Sequence, residues 1–309
     1  MSKIAFMFAG QGAQYVGMGK DLYESSAAAK AVFDMGEQVR PGTMAMCFEG
    51  PEEALKQTIN TQPCLFLTDL ACAKALEEAG ISASCAAGFS LGEIPALAYT
   101  GALTDEEAFR LVVARGVAMD DCSKKKPGSM VAALKLENSV VEEVCSTFKE
   151  VYPVNYNCPG QVSCAGAVEE LDAFAEAIKE KGGRAVMIAV SGAFHTPFMA
   201  DAADVLVKEL SGMDLKAPAT KLYANRTGRE YPTSREEMVE TISKQLCNPV
   251  RWEDTIRAMY ADGVRTFIEV GAGKTLSGLV KKTNLEDVTI LNVSDSESLK
   301  EVIAAVKGQ

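Results

Sequence analysis

The chain has 309 residues, of which 48% are hydrophobic and 24% charged, and its formal net charge is −11. This composition is that of a folded globular protein with one large or two smaller domains, and it excludes an intrinsically disordered chain. The acidic balance disfavours nucleic-acid binding, and no apolar run reaches the roughly 18–20 residues of a membrane helix. The nine cysteines include no C-x-x-C pair, so we interpret them as buried thiols in a reducing compartment, with zinc ligation as a weaker alternative. We therefore expect a cytoplasmic protein that binds neither nucleic acid nor membranes.

The first 120 residues predict strands and helices in alternation. Residues 4–8 form a short apolar run that ends in a glycine-rich segment, residues 9–12, which is typical of a buried strand followed by a turn. Residues 84–88 predict a second buried strand. Helices are predicted over residues 68–79, 91–100 and 105–119, and Thr104 with Glu107 forms a candidate capping box before the last of them.

A different pattern begins at residue 123, where three lysines precede Pro127 and Gly128. From there to residue 190, strands and helices are predicted in the order β-α-β-β-α-β, at residues 130–136, 140–148, 152–156, 162–165, 169–181 and 185–190. This order is that of a ferredoxin-like unit. We therefore predict a ferredoxin-like domain at residues 124–197, inserted into a larger domain formed by residues 1–123 and 198–309.

After Pro197 the pattern returns to alternating helices and strands. Further strands are predicted at residues 222–224, 266–270 and 290–293. Alternation of this kind indicates an α/β domain with a mostly parallel sheet.

The strongest chemical signal is Gly-Phe-Ser-Leu-Gly at residues 88–92. It fits G-x-S-x-G, with a predicted strand before it and a predicted helix after it, as a nucleophile elbow requires. Such a turn exposes the serine Oγ at a helix N-terminus, where free N–H groups favour a developing oxyanion. Ser90 is therefore the candidate nucleophile, although an ordinary glycine turn can carry the same pattern.

A serine nucleophile needs a base, and the chain contains one histidine, His195. This count excludes mechanisms with two histidines and histidine-rich metal sites. A lone histidine is more often structural than catalytic. Together with the serine elbow, however, His195 becomes the candidate general base.

Six motifs occur in the order seen in malonyl-CoA:acyl carrier protein transacylases, the stand-alone acyltransferases of bacterial fatty-acid synthesis, which are related to polyketide-synthase acyltransferase domains. The motifs are residues 10–14 (Gly-Gln-Gly-Ala-Gln), 88–93 (Gly-Phe-Ser-Leu-Gly-Glu), 114–116 (Ala-Arg-Gly), 157–162 (Asn-Cys-Pro-Gly-Gln-Val), 192–195 (Gly-Ala-Phe-His) and 245–252 (Gln-Leu-Cys-Asn-Pro-Val-Arg-Trp). Each motif alone is weak. In register, the six make the chain resemble this family from about residue 3 to residue 281.

The resemblance implies catalytic roles at matched positions. Ser90 resembles the nucleophile and His195 the general base. The backbone N–H groups of Gln11 and Leu91 resemble the oxyanion hole. Gln245 resembles the residue whose backbone carbonyl orients the histidine, in place of the aspartate of a hydrolase triad.

The resemblance also implies substrate contacts. Arg115 resembles the arginine that binds the malonyl carboxylate, since a planar guanidinium can donate two parallel hydrogen bonds. Asn157 belongs to a motif that lines the cleft, and Phe194 matches the malonyl-selective form of its motif because a bulky ring leaves little room for an α-methyl branch. Two positions depart from the family. Phe89 replaces a usual histidine beside the serine and can alter acyl preference, and Pro95 predicts a slight distortion of the following helix.

The implied activity is ping-pong transfer of malonyl from malonyl-CoA to the phosphopantetheine thiol of acyl carrier protein, through a malonyl ester of Ser90. It needs no metal or redox cofactor, and we expect a monomer. One alternative is a serine hydrolase or thioesterase, which predicts a carboxylate partner for His195. Another is a non-catalytic carrier-protein or acyl-CoA binding module with a degenerate site, for which Phe89 is the best support.

Docking of an acidic carrier protein on a chain of net charge −11 requires a local basic surface. The lysine run at residues 124–126 is the first candidate, although a solvated linker explains it equally well. Arg184 and the pair Lys281 and Lys282 are the other candidates.

Overall fold

The computed structural model describes residues 3–190 and 192–308. Within these ranges the strands are β1 (Lys3–Phe8), β2 (Cys85–Gly88), β3 (Gly128–Leu134), β4 (Val151–Cys158), β5 (Gln161–Ala167), β6 (Arg184–Ile188), β7 (Lys221–Ala224), β8 (Arg229–Glu230), β9 (Val264–Val270) and β10 (Thr289–Val293). The helices are α1 (Lys20–Ser25), α2 (Ala27–Val39), α3 (Thr43–Glu49), α4 (Glu52–Leu55), α5 (Thr58–Glu78), α6 (Glu93–Tyr99), α7 (Asp105–Lys125), α8 (Asn138–Ser146), α9 (Val168–Glu180), α10 (Ala200–Ser211), α11 (Arg235–Lys244), α12 (Trp252–Ala261), α13 (Thr275–Lys282) and α14 (Ser296–Lys307). Across the described residues, no helix combines the length and the apolar character needed to cross a membrane.

The larger sheet has the strand order β10-β9-β1-β2-β7-β8, and its pairings are parallel except that of β7 with β8. Its central strands are apolar and buried, as expected for a parallel sheet covered on both faces. This confirms the predicted α/β fold with a mostly parallel sheet.

The register of the larger sheet brings four loops to one edge. Phe8, the last residue of β1, pairs with Gly88 on one side and with Val270 on the other, and both of these residues also end their strands. On the far side of β2, Ala87 pairs with Tyr223 near the end of β7. Because the carboxyl ends of parallel strands share an edge, the segments that follow β9, β1, β2 and β7 lie side by side there.

The smaller sheet is antiparallel with the order β4-β5-β3-β6, and it carries α8 and α9. The observed element order β-α-β-β-α-β and this strand order are those of the ferredoxin-like unit, which confirms that part of the predicted fold. Val250 ties the sheet to the rest of the chain, since its N–H donates to the Val154 carbonyl at 2.7 Å and its carbonyl accepts from the Tyr156 N–H at 2.9 Å. The division of the chain at residues 124 and 197 stays a prediction, and α7 continues past the first of these positions to Lys125.

Two helices differ locally from what the sequence predicts. Helix α5 begins at Thr58 rather than at residue 68 and continues through Pro63, because nearly every side chain along it is buried and this packing outweighs the helix-breaking tendency of proline. Helix α6 runs unbroken through Pro95, which lies in its first turn, where a missing N–H removes no intrahelical bond. The expected capping box of Thr104 and Glu107 is present at the start of α7.

Candidate active site

Ser90 lies on a sharp turn between β2 and α6. Its backbone is in the left-handed region, with φ of 53°, and it begins a short 3-10 turn, Ser90–Gly92. A Cβ added at Gly88 would lie 1.8 Å from the carbonyl carbon of Gly92, and one at Gly92 would lie 2.2 Å from the Phe8 carbonyl oxygen. Both glycines are therefore required by close backbone packing, which is the local reason for the G-x-S-x-G pattern.

His195 lies between the serine and a backbone carbonyl. Its Nε2 is 2.8 Å from Ser90 Oγ, and its Nδ1 is 2.9 Å from the carbonyl oxygen of Gln245. A carbonyl oxygen can only accept, so Nδ1 carries the hydrogen and Nε2 presents a lone pair to the serine hydroxyl. The partner that orients the imidazole is thus a neutral carbonyl rather than a carboxylate.

The imidazole is neutral at physiological pH. Burial lowers the pKa of His195 from 6.5 to about 4; hydrogen bonding to Gln245 opposes this shift, and the nearby Arg115 cation adds to it. A neutral imidazole is the form that can accept the serine proton.

We expect the rate of Ser90 acylation to be independent of pH between about 6 and 8 and to fall only as pH approaches the His195 pKa of about 4. Protonation of Nε2 removes the lone pair that accepts the serine proton. Stopped-flow or quenched-flow acylation across this range measures the profile. The unfolded chain binds the His195 proton near pH 6.5, so stability decreases as pH falls from 6.5 towards 4, and circular dichroism must show that the protein remains folded at each pH. An acid limb centred near pH 6.5 would contradict this account.

Arg115, on α7, is buried directly beneath the nucleophile. Its Nη2 donates to Ser90 Oγ at 3.2 Å and to Gln245 Oε1 at 3.0 Å, and its Nη1 donates to Gln62 Oε1 at 2.9 Å. Within the described part of the chain, its Nε has no hydrogen-bond partner. Burial lowers the pKa of Arg115 to about 10, with attraction from Glu93 opposing the shift, so the group remains a cation at neutral pH. The site therefore holds a buried positive charge whose direct hydrogen-bond partners are all neutral.

Asn225, directly after β7, holds the elbow in place through hydrogen bonds. Its Oδ1 accepts from the Ser90 N–H at 2.6 Å, its Nδ2 donates to the Gly88 carbonyl, and its own N–H donates to Glu93 Oε2 at 2.7 Å. The Nε2 of Gln245 adds a bond to the Ser90 carbonyl at 2.9 Å. Asn225 was not predicted from the sequence, although its place after the strand next to β2 is a signal that could have identified it.

Glu93 belongs to the same hydrogen-bond network around the elbow. The residue is fully buried and accepts from the Tyr231 hydroxyl at 2.7 Å as well as from Asn225. Burial raises the pKa of Glu93 to about 7, although these hydrogen bonds oppose the shift. Its carboxyl is thus held by the scaffold rather than by His195.

The structure brings Gln11 and Leu91, the two expected oxyanion donors, close to Ser90. A Cβ added at Gly10 would lie 2.8 Å from the Phe89 carbonyl oxygen, so the loop after β1 lies directly against the elbow. Gln11 lines the cleft with its side chain donating to Thr58 Oγ1 at 3.3 Å, and Leu91 is buried in the 3-10 turn. Their donor role stays a prediction.

A cleft of about 260 Å³ opens above Ser90 and His195, between the two sheets. Phe89 and Phe194 form part of its wall, and the Phe89 ring packs edge-on against Trp252 with centroids 5.4 Å apart. Phe89 therefore extends the apolar wall of the cleft beside the nucleophile.

Two asparagines of β4 face the same cleft. Asn155 and Asn157 are spaced by two, so they project from the same side of the strand, and each has a buried Oδ1 without a partner among the described residues. The Nδ2 of Asn157 donates to Ser163 Oγ at 3.1 Å. Asn155 was not singled out from the sequence, although its alternation with Asn157 along a strand was a usable signal.

An elbow serine on a mostly parallel sheet, a histidine held by a carbonyl and an adjacent buried arginine define the class of serine-dependent acyltransferases. The chain belongs to the acyl transferase family: the family model described as "Acyl transferase domain" matches residues 5–304.

The particular relatives agree with the resemblance found in the motifs. The malonyl CoA-acyl carrier protein transacylase of Bacillus subtilis is 39% identical over 313 residues, which cover 99% of this chain and 98% of the relative. That of Escherichia coli is 34% identical over 288 residues, 91% of this chain and 93% of the relative.

Solved structures match over the same length. The malonyl CoA-acyl carrier protein transacylase of Clostridium perfringens superposes with a TM-score of 0.94 at 36% identity and covers 99% of this chain and 98% of its own. A malonyl-transacylase solved in complex with its type II PKS acyl-carrier protein gives a TM-score of 0.94 at 33% identity, with full coverage of both chains. The resemblance to this transacylase family is therefore confirmed.

Proposed function

We propose that the protein transfers the malonyl group of malonyl-CoA to the phosphopantetheine thiol of acyl carrier protein through a malonyl ester of Ser90. The observation that carries this proposal is the buried Arg115 cation within hydrogen-bond distance of the nucleophile. A neutral acyl group forms no ion pair with this cation, whereas the free carboxylate of a malonyl group can pair with it. The names of the close relatives point to the same substrate and the same acceptor.

In the first half-reaction, His195 Nε2 accepts the hydroxyl proton as Ser90 Oγ attacks the thioester carbonyl carbon. The N–H groups of Gln11 and Leu91 stabilise the oxyanion. When the tetrahedral intermediate collapses, the C–S bond breaks, the coenzyme sulfur takes the proton from His195, and the ester of Ser90 remains. The carrier thiol then attacks this ester by the same steps in reverse, with His195 accepting the thiol proton and returning it to Ser90.

The geometry of His195 favours transfer over hydrolysis. The hydrolase alternative expects a carboxylate on the imidazole, and the observed partner is the Gln245 carbonyl at 2.9 Å. A histidine with its pKa lowered to about 4 is a weak base that activates water poorly. The ester is therefore hydrolysed slowly and persists until a thiol attacks it. The binding-module alternative expects a degenerate site, whereas Ser90 Oγ and His195 Nε2 lie within hydrogen-bond distance, at 2.8 Å.

The cleft walls suggest how the substrate is selected and held. The buried ring of Phe194 beside His195 leaves little room for an α-methyl group, which favours malonyl over methylmalonyl. The unpartnered amide oxygens of Asn155 and Asn157 are suited to the N–H groups of a pantetheine arm. Cytoplasmic placement agrees with cysteines that are all free.

Replacing Arg115 with alanine should reduce malonyl transfer and relatively favour acetyl transfer. The malonyl carboxylate would then enter a buried site without its partner, a loss that typically costs ~2–5 kcal/mol. Lysine at this position should restore only part of the activity, because the planar fork is lost. Single-turnover acylation with malonyl-CoA and acetyl-CoA measures the preference, and an unchanged preference in the alanine variant would remove Arg115 from substrate recognition.

The docking candidates differ in how much of their charge is available. Lys124 and Lys125 lie in the last turn of α7 and pair with Asp120 at 2.6 Å and Asp201 at 2.8 Å, and Lys126 pairs with Glu150. The lysine run is therefore largely neutralised by neighbouring carboxylates. Lys281 and Lys282 instead end α13, whose residues Thr275, Leu276 and Leu279 line the cleft, and Lys282 Nζ donates to Gln161 at 3.0 Å, beside the cleft. Arg184 is exposed at the start of β6.

We expect the double change Lys281→Glu and Lys282→Glu to slow transfer to the carrier protein by about tenfold at low salt, with the loss shrinking as salt screens surface charge. Glutamates at residues 124–126 should have a smaller effect and serve as the matched control. Timing the two half-reactions separately provides the test. Equal slowing of acylation by malonyl-CoA would show that the pair binds coenzyme phosphates instead of the carrier.

The proposed function is tested by incubating the protein with malonyl-, methylmalonyl- or acetyl-CoA and measuring its intact mass. We expect one malonyl adduct on Ser90, with malonyl-CoA acylating faster than the other two. Absence of any adduct would favour the non-catalytic alternative.

A further inference from the structure

We propose that Gln62 sets the preference for a carboxylated acyl group, because it holds Arg115 through a neutral acceptor. This inference rests on the proposed function. Gln62 lies on α5, is completely buried, and accepts from Arg115 Nη1 at 2.9 Å. It acts as a positioning residue through Arg115 and is not itself among the residues that line the cleft.

The orientation of the Gln62 amide is determined by its second contact. Its Nε2 lies 3.3 Å from the Sδ of Met119, which is one helical turn beyond Arg115 on α7. A rotated amide would set two N–H donors against each other where water cannot reach them, and leaving buried donors unpaired is costly. The oxygen of Gln62 therefore faces the guanidinium.

An amide oxygen fixes the guanidinium without cancelling its charge. The other partners of Arg115, the Ser90 hydroxyl and the amide oxygen of Gln245, are neutral as well. Glu93 attracts Arg115 at longer range, but its carboxyl accepts from Asn225 and Tyr231. Among the described residues, the charge is thus left without a direct ion pair, and the unpartnered Nε leaves one more donor open.

A carboxylate at position 62 would occupy the same place as an internal counter-ion. The Gln62→Glu variant should therefore form a buried ion pair with Arg115 that competes with the malonyl carboxylate. An acetyl group gains nothing from the cation, so its transfer should be nearly unaffected. Specificity is the difference between the binding free energies of two substrates, and this change weakens binding of the malonyl group alone.

The experiment measures single-turnover acylation of Ser90 by malonyl-CoA and by acetyl-CoA in three variants. In Gln62→Glu, we expect the malonyl-to-acetyl rate ratio to fall about tenfold or more. In Gln62→Met, which keeps the side-chain length but removes the acceptor, we expect a fall of about threefold, because Arg115 keeps its charge and loses one fixed contact. Gln57→Glu, at the exposed N-terminal end of the same helix, is the matched control and should leave the ratio unchanged.

A parallel loss of both rates would show that Gln62 only supports the fold, and an unchanged ratio in either folded variant at position 62 would overturn the inference. These outcomes differ from failure of the proposed function. If the proposed function is wrong, the unaltered protein itself will take up no malonyl group, and the inference about Gln62 will then be wrong as well.

Discussion

Replacing Ser90 with alanine should abolish both covalent labelling by malonyl-CoA and transfer to the carrier protein. Oγ is the atom that forms the ester, and no other described hydroxyl occupies its place 2.8 Å from His195 Nε2. We expect residual transfer below about one thousandth of the unaltered rate, the range seen when a serine nucleophile is removed. Intact-mass measurement and a carrier-acylation assay report the two losses separately.

The fold of this variant should be preserved. Alanine removes one oxygen atom at a half-buried position, and the elbow keeps the hydrogen bonds of its Ser90 backbone to Asn225 and Gln245. Ser129→Ala, which removes a hydroxyl from a half-buried strand residue outside the cleft lining, is the matched control and should retain activity. Substantial transfer by Ser90→Ala would exclude the elbow from the chemistry.

Replacing His195 with alanine should cost about as much as the loss of Ser90. Without the imidazole, no base accepts the serine proton, and the hydroxyl is a poor nucleophile at neutral pH. Because the two residues act as one unit, their losses do not add, and the double variant should be about as slow as either single variant. Single-turnover acylation of all three variants measures this. A double variant slower than both by the product of the two effects would show that the residues work independently.

The chemistry of the site was predictable where local sequence determines it. The elbow follows from Gly88 and Gly92, because any side chain there would collide with backbone. An added Cβ would lie 1.8 Å from a backbone atom at Gly88 and 2.2 Å from one at Gly92. His195 followed from there being a single histidine in the chain. Arg115 required the family resemblance, because a lone arginine on an amphipathic helix is normally exposed and nothing local marks this one as buried.

Asn225 and Gln62, which hold Ser90 and Arg115 in place, could not be predicted from local sequence for a physical reason. Asn225 meets Ser90 across 135 positions of the chain, and Gln62 meets Arg115 across 53. Such contacts depend on how strands order themselves in a sheet and how helices pack on it, which periodicity does not encode. Residue 225 nevertheless follows directly after a predicted strand, so a prediction of strand order would have placed it near the elbow.

The fold shows the same division. Both sheets followed from apolar runs and element order, while the first half of α5 did not. Thr58, Thr61 and Pro63 locally disfavour a helix, and their burial in the folded protein stabilises it. Residues 20–55 gave no sequence prediction, and they form four helices in the described structure.

The central claim is that the Ser90 ester passes its acyl group to a thiol in preference to water. The most direct measurement isolates the malonyl-enzyme and follows its decay by intact mass with and without a phosphopantetheine-bearing acyl carrier protein. We predict that the ester persists in buffer and that the malonyl group moves to the carrier when it is added, at least about a hundredfold faster than it is lost to water. Release of free malonate at the same rate with and without the carrier would contradict the account and identify the protein as a hydrolase.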